Sequence, residues 1–196
     1  MTKTITKIVA GLGVVAGLGV AALPLSTYAA DSNIGVSVTI NETIGTVAPS
    51  CAGSVAVSGP AGASIDGSCA INGSSNAGLN ISLKTSTAQT ALSSGSDTIP
   101  ALGATLADAS FAFSNIASIN SGAGGWGYLF DAGSTTGLTP ASTSWKGATA
   151  TSASIASSTD GVEMDDAYLK FRAVTPASQA TGTYTNTVVL TVEIAP

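Results

Sequence analysis

Beyond residue 30, apolar and polar residues alternate with a period of two in several short segments, which is the pattern of half-buried β-strands. The last segment is the clearest, with one apolar face and one face rich in threonine. Stretches rich in Gly, Pro and Ser, such as 59–62 and 121–125, separate the segments. The predicted strands lie near 34–40, 54–58, 79–84, 111–113, 126–130, 153–155, 167–174 and 183–194. We therefore predict an all-β protein, an antiparallel β-sandwich (Ig-like or jelly-roll-like) of about eight or nine short strands.

The first 29 residues have a different pattern, a basic start followed by a continuous apolar run. Lys3 and Lys7 precede the apolar run, and the small residues Thr27 and Ala29 suit the positions before a cleavage site. This pattern predicts a signal peptide over 1–29 and one secreted domain over 30–196. Because no second apolar span follows, we expect no membrane anchor in the mature form.

The predicted mature domain is acidic and carries few charges. Charged residues make up 9% of the whole chain. Without the two leader lysines, four basic residues face eleven acidic ones, a net charge of −7. An acidic surface repels a phosphate backbone, so we expect no nucleic-acid partner.

The two cysteines of the chain predict one disulfide, Cys51–Cys69, because disulfides are stable in exported proteins. Two free thiols and a metal-binding pair are the alternatives. The chain has no histidine and no further cysteine that would complete a zinc site. A disulfide that closes so short a loop contributes about 3 kcal/mol to stability.

The chain lacks the residue patterns that usually form a catalytic site. It has no histidine, the commonest side chain with a pKa near neutrality. It also contains no Ser-x-x-Lys and no Gly-x-Ser-x-Gly motif. We therefore predict that the protein is not an enzyme, has no catalytic residues and needs no cofactor.

Trp145 and Lys146 are the candidate ligand-binding residues. They stand out as large side chains in a stretch, 133–160, that consists mostly of Ser, Thr, Ala and Gly. We predict a loop there and an exposed Trp145, since exposed aromatic side chains bind glycans and partner proteins. Trp126 and Tyr128, in contrast, are expected to fill the core.

One dense acidic group, in the stretch 160–166, is the single calcium candidate; otherwise we predict no metal site. Its members are Asp160, Glu163, Asp165 and Asp166. Carboxylate oxygens suit calcium, but the spacing does not match an EF-hand loop. A solvated loop that keeps a sheet edge from pairing is the alternative interpretation.

The stretch 176–192 resembles the terminal hairpin of several families of bacterial surface proteins. Its Gly182-Thr183-Tyr184-Thr185 turn runs into an alternating strand. This turn and strand resemble the final hairpin of WxL-domain wall-binding proteins, spore-coat-U-like proteins and fimbrial subunits. The segments 77–83 and 125–128 also resemble the first family, although the chain contains no Trp-x-Leu pair. The resemblance implies an Ig-like or similar β-sandwich at the cell surface, with non-covalent wall binding or fibre assembly.

Together these observations predict a secreted, extracellular protein associated with the cell surface. We expect a non-catalytic structural or adhesive role, exerted through sheet edges and loops. A cell-wall or carbohydrate-binding module that uses Trp145 is the first alternative, and a fibre subunit is the second. The expected partners are cell-wall glycan, surface proteins, or other copies of the chain through strand pairing, with 34–40 as the candidate donor strand.

Overall fold

The computed structural model describes residues 30–40 and 54–194, and β-strands dominate them. The strands are β1 (Ala30–Ile40), β2 (Ser54–Gly59), β3 (Ser64–Ala77), β4 (Leu79–Thr85), β5 (Leu92–Ser94), β6 (Asp97–Ile99), β7 (Gly125–Asp131), β8 (Thr139–Pro140), β9 (Ala153–Ser157), β10 (Asp160–Val174) and β11 (Gly182–Ile194). Three short 3₁₀ helices span Asp108–Ser110, Phe113–Ser118 and Asn120–Gly122. The all-β prediction is confirmed, with eleven strands in the described ranges.

The strands form two sheets. The larger has the order β2-β1-β11-β4-β9-β8, with β5 paired to β11 and β6 paired to β5. The smaller has the order β3-β10-β7. Neighbouring strands are antiparallel except β1 and β2, which run parallel. The protein is therefore the predicted β-sandwich, with one parallel pair in the larger sheet.

The main core lies between the two sheets and follows the period of two. On β10, Leu169 and Phe171 are buried while Lys170 between them is half-buried. Trp126 and Tyr128 on β7 are 1% and 4% exposed, which confirms their predicted place in the core. Burial of this apolar area is the main source of stability, at about 25 cal/mol per Å².

The segment predicted as a donor strand occupies a place in its own sheet. β1 lies between β2 and β11, and its residues from Ala30 to Ile40 face β11 residues from Val192 to Gly182. Self-association through this strand remains a prediction.

Several elements differ from the prediction: the segment 111–113 is not a strand, and β3, β5, β6 and β8 are additional strands. The segment 111–113 is not a strand, because Phe111 closes a helical turn, in which its N–H donates to the Ala107 carbonyl at 3.1 Å. In a strand, Phe111 and Phe113 would lie on the same face. Phe111 is fully buried whereas Phe113 is 37% exposed, so the two side chains do not share a face. In addition, β3 was not predicted, since its inward positions include Gly67, which carries no hydrophobic side chain.

Several predictions concern residues outside the described ranges. These are the signal peptide over 1–29 and Cys51. Cys69 is fully buried on β3, and its disulfide with Cys51 remains a prediction. Within the described ranges, no helix is both long and apolar enough to span a membrane.

Candidate functional site

A second apolar layer covers the outer face of the three-stranded sheet. It is built by the segment 100–124, which contains the 3₁₀ helices, and by the loop that carries Trp145. We call the segment 100–124 the strap. The buried members of this layer are Leu102, Phe111, Ile119, Trp145 and Val174. This layer therefore covers part of the outer face of the three-stranded sheet.

Two glycines allow the Trp145 loop to lie close to β7 and to the strap. A Cβ atom at Gly127 on β7 would lie 2.6 Å from the Lys146 carbonyl oxygen. A Cβ atom at Gly147 would lie 2.1 Å from the carbonyl oxygen of Leu102 in the strap. Both distances are shorter than van der Waals contact, so only glycine fits without a backbone shift.

Trp145 is the centre of this layer, and its predicted exposure is wrong. The residue is 3% exposed. Its indole Nε1 donates to Asp108 Oδ1 at 2.8 Å, and its ring meets Phe111 edge-on with centroids 5.6 Å apart. The Arg172 guanidinium lies 4.7 Å from the ring centroid. The loop is polar, but the indole N–H finds its partner in the strap, and the ring finds partners both in the strap and on the sheet.

Arg172 on β10 joins the strap to the sheet. Its Nε donates to Asp66 Oδ1 on β3 at 2.5 Å, and its Nη1 donates to Asp108 Oδ1 at 2.9 Å. The same Nη1 donates to the Phe111 carbonyl at 3.0 Å. The planar guanidinium suits several fixed acceptors at once. One side chain thus connects two strands of the sheet with the 3₁₀ turn.

An open cavity of about 440 Å³ lies on this face. We call it the outer-face cavity. Its lining includes Asp66, Ser68, Asp108, Leu129, Trp145, Lys170 and Arg172. Its size is within the range of small-molecule sites, and its walls combine apolar surface with a few fixed polar groups.

Carboxylates and cations are paired around the outer-face cavity. Lys170 Nζ donates to Asp131 Oδ2 at 2.5 Å. This hydrogen bond, together with one from the Gly133 N–H, lowers the pKa of Asp131. The hydrogen bond from Trp145 is the main cause that lowers the pKa of Asp108, and the positive charge of Arg172 adds to it. Both carboxylates are therefore ionised at neutral pH.

The lowered pKa of Asp108 predicts a contribution to stability that acid removes. A carboxylate with a depressed folded-state pKa stabilises the fold above its ordinary pKa, near 3.9, and loses that effect as the pH falls through the folded-state value. Asp108→Asn should therefore lower the melting temperature at pH 7, and the difference from wild type should shrink towards pH 2. Thermal melts at several pH values measure this. Asp97→Asn, an exposed position on β6, is the control. A difference that is constant with pH would contradict the prediction.

The structure separates the two predicted ligand-binding residues. Trp145 lines the outer-face cavity, whereas Lys146 is not part of its lining. The backbone of Lys146 pairs with Tyr128 on β7, with N–O distances of 2.8 and 2.9 Å. Of the two, only Trp145 has a place at this site.

The acidic calcium candidate lies on β10 and not in a loop. Asp160 and Glu163 are exposed, and Asp166 Oδ2 accepts a hydrogen bond from the Ser134 hydroxyl at 3.1 Å. The side chain of Asp165 is outside the described part. Among the side chains that the structure describes, no group of three or more His, Cys, Asp or Glu residues is placed to hold a metal ion.

Sequence patterns alone did not single out Asp66, Asp108, Lys170 or Arg172 as site residues. Asp66 lies opposite Arg172 in the register of β3 and β10. Opposite charges on facing positions of neighbouring strands are a recognisable signal once the strand pairing is known. The sequence did not predict β3, so this signal was not visible.

No protein-family model, curated protein or solved structure matches this chain. The fold and the site define the protein as a β-sandwich in which one sheet carries a capped outer face and an open, charged cavity.

Proposed function

We propose that this protein is an exported, non-catalytic surface protein that adheres by binding a carbohydrate, such as cell-wall glycan, in the outer-face cavity. One observation carries the proposal: a cavity of about 440 Å³ is lined by exposed carboxylates beside apolar side chains. The signal-peptide pattern over 1–29 supports export.

The chemistry of the cavity suits a polyhydroxylated ligand. Ionised carboxylates accept hydrogen bonds from hydroxyl groups, and the Ser68 hydroxyl can both donate and accept. Leu129, which is half-buried, provides apolar surface for the C–H face of a sugar ring. Because Arg172 fixes the Asp66 and Asp108 side chains, little conformational entropy is lost when a ligand binds to them.

The electrostatics of the cavity favour binding without catalysis. A carboxylic acid that protonates a glycosidic oxygen needs a raised pKa, so that it holds its proton near neutrality. The pKa of Asp108 is instead lowered by its bonds to Trp145 and Arg172. The chain also offers no histidine that would take the role of acid or base.

A co-sedimentation assay tests the proposal. Purified protein should be retained by insoluble purified bacterial cell wall or by an insoluble polysaccharide such as chitin. Ser68→Trp, which fills the outer-face cavity, should reduce retention at least about tenfold, which corresponds to about 1.4 kcal/mol of binding free energy. Ser157→Trp, an exposed position on β9 in the other sheet, is the matched control and should bind like wild type.

Three results would contradict the proposal. The first is the absence of wild-type retention on every glycan tested. The second is undiminished retention of a folded Ser68→Trp variant. The third is an equal loss in both tryptophan variants, since that would place the binding surface elsewhere. Circular dichroism of each variant establishes that it is folded.

A further inference from the structure

We infer that the outer-face cavity prefers a glycan with a free, positively charged amino group over a neutral or anionic glycan. The inference rests on the proposed function and specifies its ligand. It is carried by the way the four charged side chains of the lining are exposed.

The carboxylates of Asp66 and Asp108 face solvent, whereas the positive charge of Arg172 is largely covered. The side chain of Arg172 is 17% exposed, but those of its partners Asp66 and Asp108 are 52% and 71% exposed. A ligand that enters the cavity therefore meets carboxylates before it meets the guanidinium.

The second cation of the lining does not reverse this balance. Lys170 is 40% exposed and is bound to Asp131, whose side chain is 39% exposed. The four charges of the lining balance, and Asp131, which binds Lys170 but is not part of the lining, brings the net charge of the whole group to −1. The domain as a whole is also acidic, which attracts cations and repels anionic ligands.

Asp108 has an oxygen atom available for a ligand. Its Oδ1 accepts hydrogen bonds from both Trp145 Nε1 and Arg172 Nη1. Within the described ranges, no side chain or backbone group of the protein donates to its Oδ2. An ammonium group has three donors and no acceptor, so it matches an ionised carboxylate oxygen with the Ser68 hydroxyl nearby in the same lining. The acetamido group of an acetylated sugar carries no charge to make this contact.

Isothermal titration calorimetry with three defined oligosaccharides tests the inference. The probes are a hexamer of β-linked glucosamine with free amines, the same hexamer fully N-acetylated, and an oligomer of uronic acids. At pH 6 and low salt, the free-amine hexamer should bind at least about tenfold more tightly than the acetylated one. The uronic-acid oligomer should bind most weakly of the three. High salt should reduce the advantage of the free-amine probe, because it screens exposed charges.

Three variants separate the cavity from general attraction to an acidic protein. Asp108→Asn should remove most of the advantage of the free-amine hexamer, while Asp97→Asn removes the same charge on β6 and should leave the advantage intact. Ser68→Trp should reduce binding of the free-amine and acetylated hexamers alike. If Asp97→Asn weakens binding as much as Asp108→Asn does, the preference does not arise in the cavity and the inference is wrong.

The possible failures are distinguishable. Equal affinity for the acetylated and free-amine hexamers, with loss of both in Ser68→Trp, would overturn the preference and leave the proposed function standing. Tighter binding of the uronic-acid oligomer would likewise overturn the preference alone. If none of these oligosaccharides binds and the protein is also not retained by cell wall or insoluble polysaccharide, the proposed function and the inference both fail.

Discussion

Trp126→Ala should destabilise the protein by about 3–5 kcal/mol, the cost of replacing a large buried aromatic residue by alanine. Trp126 is 1% exposed on β7, in the core between the two sheets. Its Nε1 donates to the Thr90 carbonyl at 2.9 Å, and the substitution also leaves that acceptor without its donor. Single domains are stable by only about 5–15 kcal/mol, so the variant should retain little stability at 37 °C.

Urea denaturation followed by fluorescence and circular dichroism measures this effect. Phe113→Ala is the matched control, because Phe113 is an aromatic residue that is 37% exposed in the strap. It should cost less than about 1 kcal/mol, as surface substitutions usually do. Equal losses in the two variants would contradict the assignment of Trp126 to the main core.

Arg172→Met should loosen the strap and cost about 2 kcal/mol, in the range of lost charge-assisted hydrogen bonds. Methionine fills part of the space over the Trp145 ring but cannot bind Asp66, Asp108 or the Phe111 carbonyl. Arg172→Lys keeps the positive charge without the planar fork, so its effect should be intermediate.

Hydrogen exchange followed by mass spectrometry locates the loss caused by Arg172→Met. Exchange should become faster in peptides from the strap (100–124), while peptides from β4 and β11 in the other sheet change little. Local opening of this kind appears as faster exchange confined to one segment. Uniformly faster exchange, or none in the strap, would show that Arg172 does not anchor this segment.

The alternation of residues predicted the strands that bury one face and expose the other. β4, β10 and β11 follow it because their inward side chains are large, as with Leu83, Phe171 and Val188. β3 was missed because Gly67 interrupts its apolar face, which otherwise carries Ile65, Cys69 and Ile71, and because residues 72–77 contain no large apolar side chain. A strand whose apolar face is interrupted by glycine, and which continues into small polar residues, shows only a weak alternating pattern.

The site was not predictable in the same way, because its parts are far apart in sequence. Arg172 is 64 residues from Asp108 and 106 residues from Asp66. These residues meet only through the register of β3 and β10 and through the helical turn of the strap. For Trp145, local composition correctly indicated a loop, but it contained no information about Phe111 and Arg172, which cover the ring.

The order of strands in the larger sheet determines when the protein can finish folding. β11, the last of the described strands, lies between β1, the first of them, and β4. The sheet therefore cannot close until the ribosome has released the chain through Ile194, and most of its strand pairs span long sequence separations. Such topologies fold slowly, because long loops must close before their contacts form. Until β11 has been synthesised, the edges of β1 and β4 that it pairs with therefore lack their partner strand.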